Sequence, residues 1–357
     1  MIATLSCDVL IVGLGPAGCC AAAEAAARGL EVLGIDRRRR PGEPVQCAEF
    51  VPALMGQEVE TPSAVRRQPI TEMATFVENQ PADCRNDFRG QMIDRAEFDR
   101  HLLAEACASG ADCRFGIVLR ALDGNGIGLL SNGELVSARV IVGADGPRSA
   151  VGASIGQVNR QLVETRQVTV PLSKPHYATD IFLATELVGG YGWMFPKGAF
   201  ANIGAGVVPT AKARLKRLVA DLHSRVLDEG RVGPEVIRHT GGAIPVGGML
   251  KPFGRLGAAQ VFLTGDAAGL TNPITGAGIP AAVISGGLAG QAAAALLAGE
   301  TDAPDSYEEE LTDVFGGSLD RAVRRRREIL AVHADNQNLQ LPDLRKTWIA
   351  YPEYWAA

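Results

Sequence analysis

Residues 8–36 read DVLIVGLGPAGCCAAAEAAARGLEVLGID, and the rest of the chain is organised around them. The apolar run at 9–12 predicts a strand buried on both faces. Gly13, Gly15 and Gly18 follow at G-x-G-x-x-G spacing and lead into an Ala-rich helix that stops near Gly29. A second strand is expected over 31–35 and ends in Asp36. This order of parts is a dinucleotide site. Gly13 permits the tight turn, Gly15 lets the backbone approach a pyrophosphate, and Gly18 brings helix and strand together. Pro16 and Ala17 open a helix whose free N–H groups face the phosphates. Asp36, about twenty residues on, can accept hydrogen bonds from a ribose. Arg37 begins the run 37–40, which is either a further cofactor contact or a solvated loop.

Bulk composition narrows the rest. A chain of 357 residues holds two domains, or one large domain with an inserted lobe. With 46% apolar and 21% charged residues it is globular, not disordered. A net charge of −5 gives no basic field for nucleic acid. The second arginine run, 324–327, reads as a solvated helix face. The seven cysteines form no Cys-x-x-Cys pair and no zinc spacing, so no metal site is expected. Their odd number, with no basic leader segment, predicts a reducing cytoplasm. Residues 279–298 reach membrane-span length, but their Gly and Ala content, with Ser285 and Gln291, predicts a close-packed interior helix. No transmembrane span is expected. Peripheral contact with the inner face of a membrane stays open.

Along the chain, 37–56 is loop-like and turns helical near Phe50. Short strands follow towards Met92, then an amphipathic helix with Phe98, Leu102, Leu103 and Ala106 on one face. Between 158 and 244 the texture becomes alternating strands interrupted by one helix near 211–227, which predicts an antiparallel sheet. The fold expected is α/β: a Rossmann-like dinucleotide domain (1–56, 92–157 and 245–300) with an inserted antiparallel-sheet substrate lobe (57–91 and 158–244). A C-terminal helical segment and tail cover 301–357.

Two more glycine–acid motifs sit at strand ends: GADGPRS, carrying Asp145, and GDAAG, carrying Gly265 and Asp266. The second is followed by Pro273, Gly276, Gly278 and Ile279, where a helix begins. An Asp so placed can bond a ribityl hydroxyl, and the helix start can face the pyrimidine edge of a flavin. Three such motifs in this order point to FAD.

That order resembles the para-hydroxybenzoate hydroxylase superfamily of flavoproteins, and within it the geranylgeranyl reductase family. Two segments carry the closer resemblance. YGWMFPKG, residues 191–198, is similar to that family's aromatic-x-Trp-x-Phe-Pro signature, which borders the cavity beside the flavin. Gln46-Cys47-Ala48-Glu49 sits where the family has a cysteine segment touching the isoalloxazine. Ile93-Asp94-Arg95 also matches, and implies that Arg95 contacts FAD. There are departures. The chain is short for the family, Glu49-Phe50 stands where a glycine is more usual, and nothing beyond about 298 matches. Hydroxylases carry His where this chain has Gly269, and Asn where it has Ile279-Pro280. Halogenases favour Trp at Phe195.

The resemblance implies an FAD-dependent oxidoreductase that reduces C=C bonds of an apolar, isoprenoid-type substrate. Reduced FAD would give hydride to one carbon, and an acid would protonate the other. Cys47 is the candidate acid or polarising group, or else a small buried hydrophobe; Trp193 and Phe195 are the apolar wall or plain core of the lobe, and Tyr191 a hydroxyl aimed into the cavity. The alternative is a monooxygenase acting on an aromatic or peptide-borne side chain, then a halogenase, then a flavin-binding assembly protein without turnover. The electron donor is NAD(P)H or a redox partner protein. A lipid, another apolar small molecule or a protein substrate are the partners to consider. Lys197 is expected in solvent, and His101, His176, His223, His239 and His333 to be non-catalytic.

Overall fold

The structure is a computed structural model that describes residues 4–53, 61–334 and 340–356. It begins with β1 (Thr4–Val12), α1 (Pro16–Ala27) and β2 (Val32–Asp36). Next come β3 (Phe50–Pro52), β4 (Arg66–Ile70), β5 (Glu72–Val77), β6 (Asp83–Arg85), β7 (Gly90–Ile93) and α2 (Arg95–Ala108). β8 (Asp112–Phe115), β9 (Leu119–Leu122), β10 (Ile127–Leu130), β11 (Leu135–Gly143) and α3 (Ala150–Ser154) follow. The middle holds β12 (Leu162–Pro171), β13 (Ala178–Leu183), β14 (Gly192–Lys197), β15 (Phe200–Val207), α4 (Leu215–Asp228) and β16 (Arg238–Pro245). β17 (Phe253–Leu256), β18 (Ala259–Leu263), α5 (Ile279–Ala298), α6 (Ala303–Leu311), α7 (Gly317–Ala334), α8 (Leu341–Lys346) and α9 (Pro352–Trp355) complete it.

The first sheet runs β17-β18-β11-β1-β2-β8, extended by the β9–β10 hairpin on β11. Its central strands β18, β11, β1, β2 and β8 are parallel. Parallel strands joined by crossovers are covered on both faces, and Val9, Leu10, Ile11 and Val12 are accordingly buried. α1 and α5 pack against each other on this sheet. A Cβ on Gly286 would lie 2.2 Å from the Ala17 carbonyl oxygen, and one on Gly290 would lie 2.7 Å from that of Ala21. The Gly/Ala content of α5 is therefore what lets two helix backbones touch. Among the described residues α5 is the one helix long and apolar enough to cross a membrane.

The second sheet runs β16-β12-β15-β14-β13-β5-β6. It is antiparallel, as expected for the inserted lobe, except where β13 lies parallel to β5. That exception follows from β5 arriving from a distant part of the chain instead of through a hairpin. Alternate residues divide the two faces. Val168, Val170, Met194, Ile203 and Val207 pack under Leu215, Leu218, Val219 and Val226 of α4. The opposite face carries Gln167, Trp193, Phe195 and Asn202.

Phe50 lies in a strand, not in a helix as the sequence suggests. β3 pairs with β7, and β7 with β4, in a small three-stranded sheet between the two larger ones. The expected domain boundary at 56/57 falls outside the described residues. The C-terminal segment closes over the inner face of the lobe. Leu344, Trp348 and Tyr351 join Met73, Met92, Ile181, Trp193 and Phe195 in one buried cluster. The Tyr351 hydroxyl donates to Asp83 at 2.6 Å. The arginine run of α7 is only half a solvated face: Arg324 and Arg327 are exposed, while Arg325 and Arg326 are buried beneath this segment. Arg325 donates to the carbonyls of Tyr354 and Ala356. Nor is every histidine alone. His176 pairs with Asp180 at 3.0 Å, and Arg231 joins both, fastening β13 to the turn after α4 outside the cavity.

Candidate active site

One cavity of about 1140 Å³ runs from the first glycine turn, past the cysteine loop, to the aromatic face of the lobe. Gly13, Gly15, Pro16, Ala17, Asp36, Arg37, Cys47, Ala48 and Arg95 line it. So do Asp145, Asp266, Pro273, Gly276, Gly278, Ile279, Tyr191, Trp193 and Phe195. Gly18 and Gly265 lie behind this wall. A Cβ on Gly18 would meet the Gly13 carbonyl oxygen at 1.8 Å, so Gly18 acts on the turn and not on a ligand.

The residues fit a dinucleotide. Gly13 has φ +98° and would, with a side chain, strike Ala144 at 2.4 Å. Gly15 has nothing within 4 Å of its Cβ position, so its missing side chain leaves open cavity. α1 and α5 both begin at this cavity, behind Gly15 and Gly278, and neither has a side-chain cap. Their first amide groups are thus unclaimed by capping side chains and suited to phosphate or flavin oxygens. Asp36 accepts hydrogen bonds from the amides of Leu14 (2.9 Å) and Arg38 (2.7 Å). A carboxylate has about four acceptor positions, so capacity remains for a ribose. Asp266 takes the Thr271 hydroxyl on one oxygen. Asp145 differs, because its carboxylate is occupied by Ser149 and by the amides of Ala150 and Val151, fixing the start of α3. Burial raises the pKa of both Asp145 and Asp266, and these hydrogen bonds oppose it.

The cysteine loop is fastened to the lobe through Gln167, Asn202 and Arg238, three side chains the sequence does not single out. The Trp193 indole donates to the Gln167 side-chain oxygen at 2.9 Å, and the Gln167 amide donates to the Cys47 carbonyl at 3.2 Å. Asn202 donates to the Ala48 carbonyl at 3.2 Å. Glu49 is 1% exposed and sits at φ +67°. Its carboxylate meets Lys197 at 2.7 Å, Arg238 at 3.3 Å, the Asn202 amide at 3.2 Å and the Arg95 backbone N–H at 3.1 Å. Lys197 is therefore mostly buried and paired, where the sequence suggested solvent. A polar residue at an inward position of an apolar strand, as at Gln167 and Asn202, was the available signal.

Cys47 is half-buried and lines the cavity. Its sulfur accepts from the Glu49 amide at 3.2 Å. Burial pushes the thiol above its ordinary pKa; the Arg95 guanidinium beside it pulls the other way and is outweighed. Arg95 itself is locked to the buried Asp99 at 2.6 Å. The thiol therefore keeps its proton at neutral pH. Around it the aromatic wall is continuous. Trp193 and Phe195 lie 6.3 Å apart, Phe195 and Phe50 5.5 Å, and Phe50 and Phe88 5.8 Å between ring centroids. Tyr191 does not offer its hydroxyl to the cavity. It donates to the Thr275 carbonyl at 2.6 Å, while its ring packs on Trp348 at 4.7 Å. Phe50, Phe88 and Trp348 were not foreseen, because a loop, a strand and a tail distant in sequence bring them together.

Residues 6–186 match the family described as FAD binding domain. The chain is 32% identical to the digeranylgeranylglycerophospholipid reductase of Methanocella arvoryzae, over 95% of this chain and 91% of that one. It is also 32% identical to the reductase of the same name from Methanothrix thermoacetophila, over 94% and 90%. A geranylgeranyl bacteriochlorophyll reductase-like protein from Thermoplasma acidophilum has a similar structure, with TM-score 0.82 and 24% identity over 99% of this chain and 98% of that one. A probable FAD-dependent monooxygenase from Pseudomonas aeruginosa gives TM-score 0.65 at 18% identity, over 93% and 100%. These two structural likenesses concern the fold.

Proposed function

The chain belongs to the geranylgeranyl reductase family of FAD-dependent oxidoreductases, and on that premise we propose that it saturates C=C bonds in the prenyl chains of a lipid. The observation that carries this reading is the continuity of the cavity. The residues that suit FAD and the aromatic wall of Phe50, Trp193 and Phe195 enclose one space, and a protonated thiol lies between them. Bound and reduced, FAD supplies a hydride. Asp36, Arg95 and the starts of α1 and α5 hold the cofactor, Trp193 and Phe195 flank the chain to be reduced, and Cys47 delivers the proton to the second carbon. Trp193, through Gln167, sets the position of the cysteine loop. Aromatic packing keeps water from the reacting carbons.

Anaerobic mixing of the reduced holoenzyme with a geranylgeranyl lipid tests this. Flavin reoxidation is expected, with a mass gain of two hydrogens for each saturated bond. Oxygen uptake coupled to a hydroxylated product, with no anaerobic reoxidation, would instead establish the monooxygenase alternative. The same assay, supplied with NAD(P)H or with a reduced redox protein, identifies the electron donor. A lipid substrate is most simply met by peripheral contact with a membrane.

Cys47→Ser is expected to retain FAD but to slow substrate-dependent flavin reoxidation about a hundredfold, within the usual range for loss of a general acid. Because the thiol pKa is raised, its protonated form persists as pH rises, so the wild-type rate should stay flat from about pH 6 to about pH 8.5. Stopped-flow absorbance at several pH values checks both. A Cys47→Ser rate within about twofold of wild type would return this residue to a packing role.

A further inference from the structure

At one end of the lobe sheet β12 stops at Pro171 and β6 at Arg85, while β15 starts at Phe200, β16 at Arg238, β13 at Ala178 and β5 at Glu72. Large apolar side chains stand in water along this end: Tyr177 (57% exposed), Ile237 (49%), Phe200 (43%) and Val236. Among the described residues they are half of all the exposed large hydrophobics, so they form a patch and not a scatter. Backbone pairing puts them in a row. Phe200 lies opposite Pro171, the Ile237 amide donates to the Thr169 carbonyl at 2.9 Å, and the Thr71 amide donates to the Tyr177 carbonyl at 3.3 Å. Ile237, Phe200 and Tyr177 are therefore two strands, or about 10 Å, from one to the next. The segments of this end, 66–72, 85–89, 171–177, 197–200 and 235–239, carry seven Lys or Arg against Glu72, Asp87 and Glu235, in a chain whose net charge is −5. Even with Glu49 and Asp94, which pair with Lys197, Arg238 and Arg67, the end is net positive. The aromatic part of the cavity opens here too. Arg85, Asp87 and Arg89 line it and are exposed, and Phe88 behind them meets the Phe50 ring.

We propose that this end of the lobe docks on an anionic lipid bilayer, with Tyr177, Phe200 and Ile237 entering the headgroup layer and the exposed Lys174 meeting lipid phosphates. Tyr177 and Phe200 suit that depth, since aromatic rings settle at the boundary between headgroups and acyl chains. The basic excess adds attraction to an anionic surface. A second copy of the chain is the poorer occupant. A single row of side chains along strand ends is far narrower than the roughly 800 Å² per partner of a stable protein interface, whereas shallow insertion in a bilayer needs only a few side chains. Docking in this orientation sets the mouth at residues 85–89 against the bilayer, so a prenyl chain reaches Phe88 and Phe50 without crossing water. That consequence rests on the alkene-reductase reading; the docking surface itself rests on the exposed row and its charge.

Sedimentation of the FAD-loaded protein with phosphatidylglycerol or phosphatidylcholine vesicles tests this without turnover. Wild type should bind phosphatidylglycerol about fivefold or more tightly than phosphatidylcholine at low salt, and lose the preference at high salt. Combining Tyr177→Ser, Phe200→Ser and Ile237→Ser should lower binding to both lipids about tenfold or more. Lys174→Glu should lower binding to phosphatidylglycerol about fivefold or more and leave phosphatidylcholine unaffected. Val158→Ser, at an equally exposed position ahead of the opposite end of β12, should change neither. Detergent-dispersed geranylgeranyl lipid should reoxidise reduced flavin as fast in the triple variant as in wild type, while lipid held in vesicles should do so more slowly. Absence of vesicle binding by wild type overturns the proposal, as does equal binding to the two lipids or undiminished binding by the triple variant. A wild-type dimer that the triple variant breaks up would also overturn it, by giving the row to a second copy. Should the triple variant not fold, Lys174→Glu and the salt dependence decide. If detergent-dispersed lipid fails to reoxidise wild-type flavin, the alkene reading fails, while sedimentation still judges the surface.

Discussion

Glu49→Ala is expected to destabilise the FAD-loaded protein by about 3 kcal/mol, the low end of what removing one member of a buried ion pair costs. The low end applies because Lys197 and Arg238 keep partial access to water, with side-chain exposures of 19% and 39%. Four groups lose their acceptor at once: Lys197, Arg238, the Asn202 amide and the Arg95 N–H. Of these, Asn202 also holds the Ala48 carbonyl, so the loop that presents Cys47 loosens along with the ion pairs. Substrate-dependent flavin reoxidation should therefore fall together with the denaturation midpoint. Glu49→Gly separates the contributions. At φ +67° any residue with a Cβ is strained by about 1–2 kcal/mol and glycine is not, so Glu49→Gly should be more stable than Glu49→Ala by about 1 kcal/mol. Urea denaturation of the three holoproteins measures this. Equal midpoints for wild type and Glu49→Ala would mean that the carboxylate contributes nothing net.

The same residue shows where reading the sequence stopped. A departure from the family's glycine was visible at Glu49-Phe50, but only the fold explains it. The backbone keeps the left-handed conformation that favours glycine, and the carboxylate bonds offset the strain. The cofactor end was legible because its requirements are local: a turn, a close approach and a helix start all lie within a dozen residues of β1. The apolar end is assembled from β3, β14, the loop before β7 and the C-terminal segment, whose proximity no spacing rule conveys. Charged residues were misread for the same reason. Lys197 and Arg325 and Arg326 of α7 look solvated in any window of sequence. They are buried by partners from elsewhere, Glu49 for one and residues 340–356 for the other. Tyr191 lines the cavity, but a carbonyl of the loop before α5 claims its hydroxyl.

Gly15→Ala and Gly18→Ala should both abolish FAD retention, for different physical reasons. At Gly18 a Cβ would sit 1.8 Å from the Gly13 carbonyl oxygen and 3.2 Å from the Ala144 Cβ. Neither helix nor turn can yield cheaply, so overpacking of about 1–3 kcal/mol is expected before any ligand is considered. The protein should purify without flavin and unfold at lower denaturant. Gly15 is the reverse. Its φ of −81° and ψ of −170° are open to any residue, and its Cβ would meet no protein atom within 4 Å. Alanine there should leave the stability of the flavin-free protein within about 0.5 kcal/mol of wild type. The methyl group would nonetheless project into the space that the pyrophosphate needs, at the point where backbone and phosphate come closest. Flavin content after purification, set against urea midpoints of the flavin-free proteins, distinguishes the two. If Gly15→Ala retains FAD in full, the pyrophosphate lies elsewhere along the cavity. If it loses FAD only together with stability, the glycine serves the turn and not the ligand. Loss of FAD at unchanged stability would tie the G-x-G-x-x-G turn of residues 13–18 directly to the cofactor, with Gly13 and Gly18 shaping the backbone and Gly15 making the room.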